Sequence, residues 1–367
     1  MTRKVPFLDL RIIDKSERQR LISAIDKVFK HGRIILGPEV EEFEKLIASH
    51  CGRKYAVGVN SGTDALILGL KSLGIGPGDE VITTSLSWIA TANAIALTGA
   101  TPVFADIGSD LNIDPDSVKK LITPKTKAIM PVHYTGKICR MTELMKIAKK
   151  HGLLVIEDAS QSFNAKYQNK HAGSFGNVGC FSMNPMKVLA ACGEAGMVVT
   201  DDEKIYNKLV SLRYNGTINK EICIQPSNNS RLDTIQAAIL LERFKDLKKL
   251  INQRRAIAAF YNKKLKNIVR TPVELGDEYD VYYTYTIQTQ KREKLIKYLD
   301  SCGIETKIQH PILMPQQPPY QNAPRDKLSN AELLVKQILC IPAHEKLTKA
   351  DINYVATCII EFHQGNH

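Results

Sequence analysis

Lys187 stands alone in an otherwise largely apolar stretch, Gly179-Cys180-Phe181-Ser182-Met183-Asn184-Pro185-Met186-Lys187-Val188-Leu189. Lysine is seldom set among apolar residues without a task. Burial or a nearby cation would lower its pKa and free the amine for imine chemistry, whereas a surface lysine at a strand end is the plainer alternative. About thirty residues earlier the apolar run Leu153-Leu154-Val155-Ile156 ends in Glu157-Asp158-Ala159-Ser160-Gln161. An acid at the carboxyl end of a strand lies where open α/β sheets gather ligands. It could hold a cationic ring nitrogen through a charge-assisted bond, or simply cap a helix. A third segment, Val59-Asn60-Ser61-Gly62-Thr63-Asp64-Ala65-Leu66, turns from a strand into a helix. Gly62 would let the backbone approach a ligand, and the amides of Thr63 and Asp64 at a helix N-terminus would favour a phosphate. Ser-Gly-Thr is also a good N-cap in its own right.

Elements of an alternating kind must position these residues. Between residues 50 and 200 the apolar runs Tyr55–Asn60, Glu80–Thr84, Thr101–Ala105, Ala128–His133, Leu153–Glu157 and Met197–Thr200 are separated by helix-period segments. That alternation predicts a mostly parallel sheet covered by helices on both faces, in an α/β fold. Upstream, Ser16–Lys30 has helical periodicity, and Ser16 with Gln19 fits a capping box. Thr234–Lys264 reads as a long helix, straight or bent. Beyond about residue 265, short strands near Tyr282–Thr289, a helix over Arg292–Cys302, a Pro-rich loop over Pro311–Pro324 and a last helix from about Thr348 predict a smaller α+β unit. The expected division is residues 1–245 for a large ligand-binding domain and 246–367 for the small C-terminal one.

Taken together, a phosphate cradle, an acid at a strand end and a lysine beyond it are the parts of a pyridoxal 5′-phosphate (PLP) site. The chain resembles the DegT/StrS family of nucleotide-sugar aminotransferases, which have the fold type I architecture of aspartate aminotransferase. The matching residues include Gly37-Pro38, Ser61-Gly62-Thr63-Asp64-Ala65-Leu66, Gly78-Asp79-Glu80-Val81, Glu157-Asp158-Ala159 with Gln161, Lys187, Asn229-Ser230-Arg231 and Ile341-Pro342-Ala343-His344. The resemblance implies a large domain with a mostly parallel seven-stranded sheet flanked by helices. It also implies roles: Lys187 would carry PLP and move the proton, and Asp158 would bond the pyridine nitrogen. Trp88 would stack on the ring, unless it is ordinary core packing. Gln161 would lie near the phenolic oxygen, and Gly62, Thr63, Asp64 and Ser182 would surround the phosphate. Asn229 would reach the phosphate of a neighbouring subunit, making a homodimer the working unit. His133 matches a position near the cofactor but is equally a satisfied strand-end histidine. The implied reaction moves an amino group from an amino acid, glutamate above all, to a keto-sugar, nucleotide-linked in most of the family. Met183, Asn184, Val188 and Ser227 depart from the family pattern, and several of them are expected near the substrate. The rival readings are a PLP-dependent sugar dehydratase, whose family members often carry histidine in place of the lysine, and a non-catalytic regulator on the same fold.

The totals are compatible with this reading. Fifty Lys and Arg against 38 Asp and Glu give a formal charge of +12. The basic residues are diluted along helices with no nucleic-acid-binding motif, so a solvated surface with a bias toward anionic small molecules is expected, and no nucleic acid. Eight scattered cysteines without a C-x-x-C pair predict free, mostly buried thiols and no metal site. The absence of a long apolar run and of a secretory signal pattern predicts a cytoplasmic protein with no membrane span.

Overall fold

The computed structural model describes residues 3–365. Seven five-residue strands form the central sheet: β1 (Tyr55–Val59), β2 (Glu80–Thr84), β3 (Thr101–Ala105), β4 (Thr126–Met130), β5 (Leu154–Asp158), β6 (Val178–Ser182) and β7 (Gly196–Thr200). Their order is β1-β7-β6-β5-β4-β2-β3, and β7 alone runs against the others. The strands are nearly continuous apolar runs because helices cover both faces, as a parallel sheet requires. The seven-stranded, mostly parallel α/β architecture expected from the sequence is therefore present.

Register fixes which residues meet at the carboxyl edge. Asp158 at the end of β5 pairs with Cys180 of β6, while Ser182 of β6 and Val59 of β1 both lie opposite Gly196. A side chain at Gly196 would strike the carbonyl of Ser61, so only glycine lets the β1 turn close over the start of β7.

The helix ends carry the expected signals with one change. Helix α1 (Lys15–His31) starts from Asp14, whose carboxylate accepts the Glu17 amide at 2.7 Å, and Ser16 sits inside its first turn. The Asp14 carboxylate reaches the orphan amide first, so the expected Ser16–Gln19 box does not form. Helix α2 (Pro38–Cys51) packs against the sheet, and α3 (Gly62–Ser72) follows β1 directly. Helix α4 spans Ala90–Leu97. The long helix expected over 234–264 is two helices, α5 (Thr234–Phe244) and α6 (Leu247–Leu265), the bend being a full break at Lys245-Asp246. No Gly or Pro marks the break; it is held from outside by Arg20, which pairs with both Glu242 and Asp246.

Helix α6 passes from one core to another. Leu247 and Ile251 pack with the sheet residues, whereas Ile257, Ala258, Tyr261 and Leu265 join the C-terminal core. That second core surrounds an antiparallel pair, β8 (Tyr285–Gln288) and β9 (Ile338–Ile341), and the last helix, α7 (Lys349–Gln364). The last helix starts where the sequence placed it, and Thr348 caps it in a box with Asp351. All eight cysteines are free; five are buried, Cys302 is half-buried, and Cys192 and Cys223 are exposed. No helix among the described residues is long and apolar enough to cross a membrane.

Candidate active site

A cavity of about 800 Å³ opens where the strands end and the C-terminal unit begins. Gly62, Thr63, Trp88, Asp158, Gln161, Ser182 and Lys187 all line it. Seven of the nine residues singled out from the sequence are thus brought together from four separate segments of chain.

Its base is a polar network. Asp158 is 3% exposed; its Oδ2 accepts the Thr91 hydroxyl at 2.8 Å, and its Oδ1 accepts the Ser160 amide at 3.2 Å. Thr91 is in turn 3.1 Å from the Ser87 hydroxyl. The carboxylate is therefore oriented by its neighbours, with no cation paired to it among the described residues. Gln161 is fixed because its Oε1 accepts the Thr135 amide at 2.9 Å.

The cradle beside it is set by close approach. A Cβ at Gly62 would stand 2.5 Å from the Ser182 Cβ, so glycine is what allows α3 to begin against the end of β6. Gly62 and Thr63 are the first two helical residues, whose amides have no intrahelical acceptor. The Asp64 amide is already engaged by the Ser61 hydroxyl at 3.1 Å, and the Asp64 carboxylate accepts from Ser230. Asp64 thus lies outside the cavity and ties the 229–231 segment to α3. Asn229 also lies outside, in an adjoining cavity with Asn60, Arg231 and Gln236; Ser61 and Glu194 line both.

Lys187 is half-buried, its ammonium 4.5 Å from the centre of the Tyr283 ring, with no ion-pair partner among the described carboxylates. Trp88, 62% exposed, is not core packing: it stands at the cavity with its ring 5.8 Å from His310. His133 resolves to the plainer of its two readings. It is fully buried away from the cavity, its Nδ1 accepting from the Cys139 amide and its Nε2 donating to Glu157. Burial pushes the Glu157 carboxyl up, but His133 and the amides of Gly173, Phe175 and Gly176 outweigh it and hold it below its usual range.

Of the four departures from the family pattern, only Asn184 lines the cavity; Met183 and Val188 pack in the sheet core and Ser227 lies elsewhere. Sequence reasoning missed Tyr283, Lys307 and His310, which close the opposite wall. Burial, with Lys187 and Lys307 nearby, pushes the His310 ring down to about 3, so it is neutral at ordinary pH. Its Nε2 is buried without a partner.

A model of the DegT/DnrJ/EryC1/StrS aminotransferase family matches residues 15–360. The chain belongs to this family. Among curated relatives, the dTDP-3-amino-3,4,6-trideoxy-alpha-D-glucose transaminase of Streptomyces venezuelae is 38% identical over 98% of this chain and 97% of its own length. A pleiotropic regulatory protein of Geobacillus stearothermophilus is equally similar, at 38% over 98% and 99%. Among solved structures, S. venezuelae DesV superposes with a TM-score of 0.95 at 38% identity, covering 99% of both chains. The NtdA protein of Bacillus subtilis, solved with bound cofactor PMP, gives 0.91 at 32% identity over 98% of this chain and 85% of its own.

The family's cofactor is PLP, and the residues present fit it. A glycine cradle with open helix-terminal amides suits the phosphate, and a buried carboxylate suits a protonated pyridine; the lysine that shares their cavity, like that carboxylate, has no ion-pair partner among the described residues. The chain is a sugar aminotransferase of fold type I.

Proposed function

We propose that this enzyme takes an amino group from an amino acid, L-glutamate in the simplest case, and delivers it to a keto-sugar carried on a nucleotide. One observation carries the reading: an amine without an ion-pair partner, a buried carboxylate and an anion cradle face one another across a single cavity. Bound PLP supplies an electron sink for the bond broken at the substrate carbon.

Around it, each side chain has a task. Lys187 would hold the cofactor, and its amine, once released, would take the proton from the substrate carbon and hand it on to the cofactor carbon. Asp158, steadied by Thr91 and Ser160, keeps the pyridine nitrogen protonated. The Gly62 and Thr63 amides with the Ser182 hydroxyl would hold the phosphate, Trp88 would stack on the ring, and Gln161 would lie near the phenolic oxygen. Asp64 serves from behind, holding the loop that carries Asn229. Asn229 faces outward beside the cavity, which supports a homodimer in which it serves the partner's phosphate. The net charge of +12 suits a diphosphate-bearing acceptor. We place this work in the cytoplasm.

The regulatory relative leaves a second reading, a PLP-fold protein that does no transfer. Lys187 and Asp158 favour catalysis. Adding L-glutamate alone to the PLP-loaded protein should bleach the visible cofactor band and raise that of its amine form, and Lys187→Ala should abolish both the parent band and the response. A parent protein unresponsive to every amino donor would sink the transaminase reading.

A further inference from the structure

Consecutive residues Val281 and Tyr282 pack in different cores: Val281 with the sheet, Tyr282 with the C-terminal unit. The chain achieves this with Tyr282 at φ +48°, a left-handed conformation that is uncommon for a bulky residue. Facing it is a second such turn, with Thr135 at φ +63° and Gly136 at φ +108°. The two turns are bonded backbone to backbone, Val281 N to Gly136 O and Thr284 N to Thr135 O, each at 3.2 Å. They fit so closely that a Cβ at Gly136 would stand 2.8 Å from the Tyr283 nitrogen and 3.0 Å from the Asp280 carboxylate.

Both turns reach the reactive centre. The Thr135 amide holds the Gln161 side chain at 2.9 Å, and the Tyr283 ring lies 4.5 Å from the Lys187 amine. Between them sits Asp280, 4% exposed, whose Oδ1 accepts the Tyr282 amide at 2.7 Å. Resting on the reading of Lys187 as the cofactor lysine, we propose that Asp280 is a positioning residue. It fixes the Tyr282 turn, which backbone bonds tie to the Thr135–Gly136 turn, and so sets Tyr283 and, through Thr135, Gln161 around Lys187.

The choice of residue supports this. Burial pushes the Asp280 carboxyl up to about 7, and no side-chain ion pair compensates it; Arg255 bonds its backbone carbonyl instead. An apolar residue would cost less to bury there. A short acceptor is what the strained Tyr282 amide needs, and local rules are broken most often where a site has to be held.

The test compares PLP-loaded parent, Asp280→Asn and Asp280→Ala. Two quantities are read: the pH midpoint of the visible cofactor band, and the rate and half-saturating concentration of the single-turnover reaction with L-glutamate. Asparagine keeps an oxygen for the Tyr282 amide, so it should hold the parent midpoint and most of the rate. Alanine should move the midpoint by about half a unit and slow the saturated rate about tenfold, with the half-saturating concentration changed less than about threefold. Gly136→Ala, which wedges the same contact apart, should reproduce the alanine result and decides the matter if Asp280→Ala does not fold. Parent-like midpoint and rate in folded Asp280→Ala or Gly136→Ala would overturn the proposal, as would an Asp280→Asn protein as impaired as the alanine variant. Lys187→Ala run alongside separates the two readings: if it retains the parent band, the cofactor-lysine assignment fails, whatever Asp280 does.

Discussion

One wall of the cavity is built by strand ends and the other by irregular chain, and the two were unequally visible beforehand. Asp158 and Ser182 end β5 and β6, where sheet register sets their places, and Gly62 opens α3 just beyond the end of β1. Tyr283, Lys307 and His310 come from the C-terminal unit, between or beyond its regular elements, and Tyr282 and His310 both have positive φ. A strand end announces itself through an apolar run that stops at a polar residue. A loop wall has no such signature, because backbone turns and distant packing decide where its side chains point. The family's shared chemistry is expected of the first wall, and substrate preference of the second.

The sharpest way to break that comparison is to damage the strand-end wall. Asp158→Ala removes a buried charged acceptor and leaves Thr91 and the ring nitrogen without their partner. Loss of a charge-assisted bond of this kind should slow the glutamate half-reaction on the order of a hundredfold or more. Asp158→Asn keeps the Thr91 bond but not the charge, so it should be nearly as slow. If Asp158→Asn matched the parent, the carboxylate would be a helix-side anchor and nothing more.

A smaller effect is expected at the cradle. Gly62→Ala sets a methyl group 2.5 Å from the Ser182 Cβ, and overpacking of this order costs about 1–3 kcal/mol. Cofactor affinity, measured by equilibrium titration with PLP, should fall at least about tenfold. Ser182→Gly in the same chain should restore part of the loss if the clash is the cause, since neighbouring changes couple. Equal losses with and without Ser182 would show that the added methyl group obstructs the phosphate itself.

Much of the strand-end wall was legible because the physics is local there. Ser61-Gly62-Thr63 can only be a tight turn into a helix, and Leu153–Ile156 followed by two acids can only be a strand reaching an edge. The same local logic failed where a distant partner intervened. The 234–264 helix breaks where Arg20 pairs with Glu242 and Asp246, and Asp14 takes the cap that Ser16 seemed placed to hold. Met183 and Val188 looked like substrate-facing departures, yet their side chains point into the sheet core, while Met186 and Asn184 turn to the cavity. Tyr283 was unreadable for a further reason. Its place depends on Tyr282 adopting a left-handed turn, which nothing in the residue type favours.

The mildest expected effect probes the loop wall alone. His310 is held well below the ordinary histidine range by burial first, then by the Lys187 and Lys307 charges, so the folded protein does not protonate it until about pH 3. The unfolded chain takes up that proton near pH 6.5. Between these values the unfolded state binds more protons, so the contribution of His310 to stability is complete above pH 6.5 and drains away as the pH falls toward 3. Urea unfolding of the parent at pH 7 and pH 5 should therefore show a decline that His310→Gln lacks, on the order of 1 kcal/mol. Cofactor affinity at pH 7 should change little in that variant, since the residues proposed to hold the phosphate and the pyridine belong to the other wall. A His310→Gln protein that lost its hold on PLP as severely as Gly62→Ala would mean that the loop wall shares the cofactor, and the division between the two walls would fall.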